Sequence, residues 1–228
     1  IALRGGQEKD RHQFVEDALK RGAVALIVEE PVNTSIKIPQ VIVRNSRACL
    51  SYISQNWYGN PAEKLVNIGV TGTNGKTTTA YMLYELLELL GSPCGYIGTL
   101  GLKIDDAFKG IGNTTPEADV MHRSLKSIVD AGKKYSSIEV SSHALSLGRV
   151  ENIKFSIGIF TNFSRDHIDF HDSMVEYFNA KSILFEQLDK ESVAILNVDD
   201  EKFSLLAERT QARVIKYGES SSADFRLK

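Results

Sequence analysis

Cysteine is scarce in this sequence. The 228 residues include two, Cys49 and Cys94, and their separation does not match the spacing of metal ligands. This excludes a disulfide-rich secreted scaffold and a cysteine-based metal module. Both residues are interpreted as reduced thiols in the core, without a chemical role.

Long apolar runs and a large charge excess are absent as well. No segment approaches the roughly 18 apolar residues of a membrane span, and no signal peptide is recognisable. The net charge is −2, and the basic residues are spread along the chain rather than clustered. Nucleic acid and membranes are therefore not expected as partners, and we expect a soluble, cytoplasmic protein.

The composition and the hydrophobic pattern predict an α/β protein. Hydrophobic residues make up 42% of the chain, enough for one large domain or two smaller ones. Residues 1–62 indicate a small α/β domain, and Gly59-Asn60-Pro61 ends its last helix. Over residues 63–228, strands and helices alternate, which predicts a mainly parallel, doubly wound sheet with a ligand site at the carboxyl ends of its strands.

Element boundaries follow from the same patterns. Helices are expected at about 10–21, 46–57, 76–90, 117–131, 173–188 and 200–209. Strands are expected at about 24–28, 41–43, 65–70, 94–98, 135–140, 155–160, 193–197 and 213–217. The polar motifs described next follow one of these strands or lie close after one.

The most informative segment is a glycine-rich loop between a predicted strand and a predicted helix. Gly72 and Gly75 let the backbone curl so that N–H groups face a phosphate, and the helix N-terminus adds partial positive charge. Lys76 supplies a mobile charge for the outer phosphates, and the Thr77 hydroxyl can reach a magnesium ion. Val70 stands where the usual P-loop has its first glycine, so this is the shorter GxxGKT form. The alternative, an ordinary strand–helix turn, explains the Gly-Lys-Thr triplet less well.

A second polar group follows the strand predicted at 135–140. Glu139 ends an apolar strand, where a carboxylate is costly unless it meets a cation or hydrogen-bond donors. A magnesium ion shared with phosphates would supply that cation, while a helix cap or a lysine partner are the alternatives. Ser141 and His143 extend the polar edge. Arg149 could clamp an anionic group with its planar fork, although a surface ion pair explains it equally well.

Two further loops carry candidate ligands. His167 and His171 lie in a loop rich in histidine and aspartate, which suggests a metal or phosphate site with His167 as a ligand and a structural role for His171. Thr115 is expected to cap the helix predicted at 117–131. The N–H groups near Thr114 and Thr115 would then be free to bind a phosphate or carboxylate, and both interpretations stay open.

Lys181 lies on a predicted helix whose other residues are largely apolar. The default interpretation for such a lysine is a side chain that follows the apolar surface and keeps its ammonium in water.

Together, five segments resemble the Mur ligase family in order and spacing: GTNGKTTT, NTTP, EVSSHAL, NFSRDHIDFH and YFNAKSILF. The resemblance covers essentially the whole chain. It is best for the members that add the third amino acid to UDP-MurNAc-L-Ala-D-Glu, through an acyl phosphate, in peptidoglycan synthesis. It implies a central ATP-binding P-loop domain after a UDP-binding-type α/β domain.

Residue by residue, the resemblance implies an ATP site, two Mg²⁺ sites and a substrate site. ATP would be bound by Gly72, Thr73, Asn74, Gly75, Lys76, Thr77 and Thr78, and the UDP-MurNAc-dipeptide by Thr114, Thr115, Ser141 and Arg149. Thr77 and Glu139 would hold one Mg²⁺, and Glu139, His167 and Lys181 the second, with Lys181 carbamylated as in this family. The implied catalytic residues are Lys76, Glu139, His167 and Lys181. The second substrate would be lysine or diaminopimelate, and a monomer is expected.

The ends of the chain depart from the family pattern. The chain opens on Ile1 and stops at Lys228, so we expect part of the N-terminal domain and the whole C-terminal domain to be missing, and the 228-residue chain alone to have little ligase activity. Two competing interpretations are a folylpolyglutamate synthase-like ligase and a non-catalytic Mur-like binding domain. The N-terminal unit argues against the first, and the implied pair of metal sites against the second.

Overall fold

The structure is a computed structural model that describes residues 1–4, 10–165 and 170–228. The strands are β1 (Leu26–Val28), β2 (Gln40–Ile42), β3 (Val66–Thr71), β4 (Cys94–Gly98), β5 (Gly101–Lys103), β6 (Phe108–Lys109), β7 (Tyr135–Glu139), β8 (Ile157–Phe160), β9 (Val193–Asn197), β10 (Arg213–Gly218) and β11 (Phe225–Arg226). The helices are α1 (Val15–Lys20), α2 (Ser46–Trp57), α3 (Lys76–Leu89), α4 (Ala118–Asp130), α5 (Ser142–Ser146), α6 (Met174–Glu186) and α7 (Phe203–Arg209), with 3-10 turns at Arg11–Phe14 and Pro61–Lys64.

Nine strands form the central sheet, in the order β11-β10-β9-β8-β3-β7-β4-β5-β6. The strands from β11 to β4 run parallel, and β5 and β6 add an antiparallel edge. This confirms the predicted mainly parallel α/β fold. β3 lies between β7 and β8, with Val70 opposite both Glu139 and Ile159. The loop after β3 therefore opens beside the carboxyl ends of both neighbours, where parallel sheets hold their ligands.

Helices cover both faces of this sheet. Tyr96 packs in a cluster with Ala80 and Tyr84 of α3. Its neighbour Ile97 packs in a second cluster that includes Met121 of α4. Because successive residues of a strand point to opposite faces, α3 and α4 lie on opposite sides of the sheet. This is the doubly wound arrangement that the alternating pattern predicts.

The first part of the chain forms a smaller unit. β1 and β2 make a parallel pair, and the cluster beneath it includes Val15, Leu19 and Val28. Gly59 and Asn60 both have positive φ, 71° and 52°, where α2 gives way to the 3-10 turn. α2 also packs against α4, so the division into domains 1–62 and 63–228 stays a prediction.

Predicted and observed boundaries agree within about three residues for the long elements, and α2, β4 and β9 match at both ends. The pattern missed β5, β6, β11 and α5, because elements of two to five residues are too short to show a period. In the described part of the chain, none of the helices has the length and hydrophobicity that crossing a bilayer requires.

The two cysteines are free thiols, as expected, but the prediction that both lie in the core holds only for Cys94. Cys94 is buried in β4, whereas Cys49 is half-buried on α2. Burial raises the pKa of the Cys94 thiol to about 12, so it stays protonated and unreactive at neutral pH.

Candidate active site

The loop between β3 and α3 has the backbone conformation that its glycines permit. Gly75 caps α3 with φ 83°, in the left-handed region that favours glycine. Gly72 has φ 151°, and a Cβ at this position would lie 1.9 Å from Thr161 Oγ1. Gly75 therefore sets the turn into α3, and Gly72 allows the loop to approach the end of β8.

Two amides of the loop donate hydrogen bonds to Asn162, in the segment that follows β8. The Thr73 amide donates to the Asn162 carbonyl at 2.8 Å, and the Asn74 amide donates to Asn162 Oδ1 at 3.0 Å. The sequence interpretation had these N–H groups facing a phosphate, and in this structure they are already bonded. The amides of Gly75 to Thr78 are better candidates, because the first N–H groups of a helix have no partners within it.

Two lysines lie against the loop carbonyls. Lys76 Nζ donates to the carbonyls of Gly72 and Thr73, at 3.0 and 2.8 Å. Lys181 Nζ donates to the same Gly72 carbonyl at 2.8 Å and lies 4.3 Å from the centre of the Tyr177 ring. Lys181 is 1% exposed, so the interpretation of an ammonium kept in water is wrong. Its helix, α6, carries it under the loop.

Glu139 is a fully buried carboxylate at the end of β7, with 0% exposure. Its Oε1 accepts hydrogen bonds from the Tyr96 hydroxyl and, at 2.9 Å, from the Thr99 amide. Its Oε2 accepts from the hydroxyls of Thr77 and Thr99, at 2.8 and 3.1 Å. None of the ion pairs between described residues involves Glu139. The donors satisfy the carboxylate without neutralising its charge.

Among the described residues, neither alternative for Glu139 is seen: no lysine pairs with it, and α5 is capped by the Ser141 hydroxyl, which accepts from the Ala144 amide. The arrangement around Glu139 suits a magnesium ion. Mg²⁺ prefers hard oxygen ligands, and neighbouring ligands of an octahedral ion at about 2.1 Å lie about 3 Å apart. Thr77 Oγ1 and Glu139 Oε2 are oxygens separated by 2.8 Å. The pair therefore fits two adjacent positions around one ion.

Thr115 joins β7 to the loop before α4. Its hydroxyl donates to the Glu139 carbonyl at 2.7 Å and accepts from the Ser141 amide at 3.0 Å. The prediction that Thr115 caps α4 is wrong, because that hydroxyl is already used by β7 and the helix begins after Glu117. Thr114 lies nearby, with its hydroxyl 3.0 Å from Thr99 Oγ1.

Arg149 is neither free nor on the surface. It donates to the Thr115 carbonyl at 3.1 Å and pairs with Glu117 at 3.1 Å. Glu117 also pairs with Arg47 of α2 at 3.1 Å, so one carboxylate bridges two guanidinium groups. All three side chains are less than a fifth exposed. Arg149 Nε is buried and has no hydrogen-bond partner among the described residues.

These residues line a single cleft of about 400 Å³. Its walls are formed by Lys76, Thr77, Thr99, Asn113, Thr114, Thr115, Glu139, Ser141, His143 and Arg149. The structure thus brings the four predicted substrate residues together with Lys76 and Thr77, whereas the other predicted ATP-binding residues and Lys181 do not line this cleft. The sequence analysis did not select Thr99 or Asn113 as site residues. Thr99 directly follows β4, so the tendency of ligands to bind at the carboxyl ends of parallel strands could have identified it.

The third candidate loop is only partly described. His167 lies outside the described residues, so its predicted metal role stays a prediction. His171 is buried, and its Nε2 lies 3.0 Å from Ser142 Oγ, in line with the preferred structural role. Across residues 1–4, 10–165 and 170–228, no three or more His, Cys, Asp or Glu side chains form a group that could hold a metal ion.

Comparison with known proteins identifies the family. The family model described as the Mur ligase middle domain matches residues 70–228, which include the P-loop and every wall of the cleft. The chain belongs to the Mur ligase family. The resemblance inferred from five motifs is thereby confirmed at the level of the family.

Similar proteins include UDP-N-acetylmuramoyl-L-alanyl-D-glutamate–2,6-diaminopimelate ligases. The protein of that name from Geobacillus thermodenitrificans is 42% identical over 221 residues, covering 94% of this chain and 45% of the relative. The one from Clostridium perfringens is 43% identical over 211 residues, covering 92% of this chain and 43% of the relative. A solved structure of such a ligase superposes with a TM-score of 0.82 at 28% identity, over 98% of this chain and 46% of the other. The chain therefore spans less than half the length of these relatives.

Proposed function

We propose that this chain is the ATP- and substrate-binding part of a ligase that adds the third amino acid to UDP-MurNAc-L-Ala-D-Glu in peptidoglycan synthesis. The names of the relatives favour 2,6-diaminopimelate over lysine as that amino acid. In the proposed reaction the substrate carboxylate attacks the γ-phosphorus of ATP and ADP leaves. The amine then displaces phosphate from the acyl phosphate, which forms the amide bond.

One observation carries the proposal: a buried carboxylate with neutral donors lines the same cleft as the P-loop residues Lys76 and Thr77 and a second wall that includes Thr115 and Arg149. Glu139 contacts both, because its side chain accepts from the Thr77 hydroxyl and its carbonyl accepts from the Thr115 hydroxyl. A nucleotide triphosphate bound at the loop would thus have its outer phosphate beside a substrate held by the second wall. Holding the reacting groups together in this way supplies much of the catalysis in phosphoryl transfer.

Each residue then has a defined task. The first amides of α3 bind phosphate oxygens, and Lys76 moves from the loop carbonyls to the outer phosphates, where it balances developing charge. Thr77 and Glu139 would hold Mg²⁺, which would neutralise charge on the phosphate oxygens. Arg149, with Thr114, Thr115 and Ser141, orients the anionic muramoyl dipeptide.

We also propose that Lys181 is carbamylated, as the family resemblance implies. The same resemblance implies that the modified side chain would hold a second Mg²⁺ with Glu139 and His167. The ammonium that donates to Gly72 would then be replaced by an anionic carbamate. Mass measurement of the intact protein, in buffers with and without bicarbonate, tests this part separately from activity.

The function is tested by phosphate release from the full-length gene product with ATP and Mg²⁺. The reaction is run with UDP-MurNAc-L-Ala-D-Glu and either diaminopimelate or lysine, and each substrate is omitted in turn. We expect release that needs the muramoyl dipeptide and one amine, with diaminopimelate preferred. Matched reactions with the Lys76→Met variant should show release reduced by about 100-fold or more.

The two rival functions predict different results in the same assay. Release with a folate and glutamate, but not with the muramoyl dipeptide, would assign the chain to a folylpolyglutamate synthase-like activity. Binding of nucleotide or muramoyl dipeptide without any release would indicate a non-catalytic binding domain. Either result would replace the ligase proposal.

A further inference from the structure

Tyr96 lies beneath the cleft and contacts its central carboxylate. It belongs to β4, has 0% exposure, and packs among the rings of Tyr81, Tyr84 and Phe108. In this apolar cluster its hydroxyl turns toward β7 and donates to Glu139 Oε1. A tyrosine phenol is protonated at neutral pH, so the group acts as a hydrogen-bond donor.

The two oxygens of Glu139 are held differently. Oε1 accepts from groups beneath and beside the carboxylate, the Tyr96 hydroxyl and the Thr99 amide. Oε2 accepts from two hydroxyls, and one of these belongs to Thr77, the residue after the P-loop lysine. Hydroxyls can rotate their hydrogen away when a cation arrives, and their oxygens can then act as ligands. The carboxylate thus has one anchored oxygen and one oxygen that a metal can share.

Gly98 shows how closely this contact is packed. A Cβ at this position would lie 2.1 Å from Glu139 Oε1 and 2.3 Å from the Tyr96 hydroxyl oxygen. Any larger residue would therefore separate the tyrosine from the carboxylate. The glycine that ends β4 leaves room for the hydrogen bond that anchors Oε1.

We infer that Tyr96 is a positioning residue for metal binding: it anchors Glu139 Oε1, so that Oε2 faces the cation beside Thr77. This inference rests on the proposed function, since it requires that Thr77 and Glu139 hold Mg²⁺. Tyr96 does not touch the cation itself. Partners that orient a metal ligand in this way typically contribute 10- to 100-fold to metal affinity.

The test is the substitution Tyr96→Phe, which removes one hydroxyl and keeps the ring in its cluster. The matched control is Tyr84→Phe, because Tyr84 belongs to the same cluster and, in the described structure, is not among the donors to Glu139. Mn²⁺ replaces Mg²⁺ as a spectroscopic probe. Free Mn²⁺ is measured by electron paramagnetic resonance in the full-length gene product with a non-hydrolysable ATP analogue.

We expect Tyr96→Phe to weaken Mn²⁺ binding by about 10- to 100-fold, while metal-free binding of the ATP analogue matches that of Tyr84→Phe. The thermal midpoint should be somewhat lower than that of Tyr84→Phe, because the buried Glu139 loses one donor. Gly98→Ala should weaken Mn²⁺ binding as well, because its Cβ displaces the same contact. Unchanged Mn²⁺ affinity in Tyr96→Phe would overturn the inference. So would an equal loss of metal-free nucleotide binding, since that describes a purely structural residue.

Failure of the proposed function would look different. If the unsubstituted protein bound no Mn²⁺ with the ATP analogue, the metal site itself would be wrong. If it bound Mn²⁺ and Tyr96→Phe bound it equally well, only the role of Tyr96 would be wrong.

Discussion

Two carboxylates near the cleft are held in opposite ways: Glu139 is buried and lines it, whereas Glu117 is half-buried behind the lining residue Arg149. Glu139 accepts hydrogen bonds from three hydroxyls and one amide, and none of its described partners is charged. Glu117 pairs with two guanidinium groups, those of Arg47 and Arg149. Neutral donors stabilise a carboxylate while leaving its charge available, whereas two cations more than cancel it.

The difference in partners indicates a metal-binding role for Glu139 and a structural role for Glu117. An anionic carboxylate within a buried set of neutral donors still attracts a cation, which is the property a metal ligand needs. Glu117 has no charge left for a ligand, but it connects α2 of the smaller unit to the arginine of the substrate wall. Substitutions at the two positions should therefore affect different measurements.

The largest effect is expected for Glu139→Gln. This variant keeps the size of the side chain and removes its charge, so Mn²⁺ affinity with an ATP analogue should fall by more than about 100-fold, beyond the loss expected for an outer partner such as Tyr96. Stability should change little, because the desolvation cost of the carboxylate disappears together with its hydrogen bonds. The affinity is measured by electron paramagnetic resonance. Retained Mn²⁺ affinity would show that Glu139 is not a metal ligand and that Glu139 and Glu117 do not differ in metal binding.

A smaller effect, on stability, is expected for Glu117→Gln. The change leaves two partly buried guanidinium groups close together without a counter-charge, so the free energy of unfolding should fall by about 2 kcal/mol. Mn²⁺ affinity should not change. Urea unfolding measures the first quantity. Glu186→Gln is the matched control, because its pair with Arg209 is far more exposed and should contribute less than about 1 kcal/mol. Equal losses in the two variants would show that the Glu117 pairs are ordinary surface pairs.

The smallest effect concerns pH and a buried group without a counter-charge. His122 lies on α4, 0% exposed, and its Nδ1 has no hydrogen-bond partner within the described residues. Burial lowers the pKa of His122 to about 4, so between pH 6.5 and pH 4 the unfolded chain binds a proton that the folded chain does not. Stability should therefore decrease as the pH falls through this window.

The expected loss is about 1 kcal/mol between pH 7 and pH 5.5, measured by urea unfolding at each pH. The variant His122→Gln should show a flatter profile over this range. An unchanged slope would assign the acid sensitivity to other groups.

Much of the fold could be read from the sequence, because long elements carry their own periodic pattern. The alternation after residue 63 predicted the parallel sheet, and β4 and β9 were predicted with both ends correct. β5 and β6 were missed because an edge of two or three residues has no period to detect. The Thr115 cap was wrong because local cap signals do not reveal a hydrogen bond to a distant strand.

For the site, the sequence by itself determined which chemistry was available: a glycine loop with Lys76 and Thr77, a costly carboxylate at a strand end, and a polar turn around Thr115. These follow from local rules of backbone conformation and burial. Only the tertiary structure decided the partners. It buried Lys181 under the loop and paired Arg149 with Glu117. It also placed the Tyr96 hydroxyl of β4 against the Glu139 carboxylate of the adjacent strand β7. Such contacts join residues 30 or more positions apart, and a linear pattern carries no information about the distance between them in space.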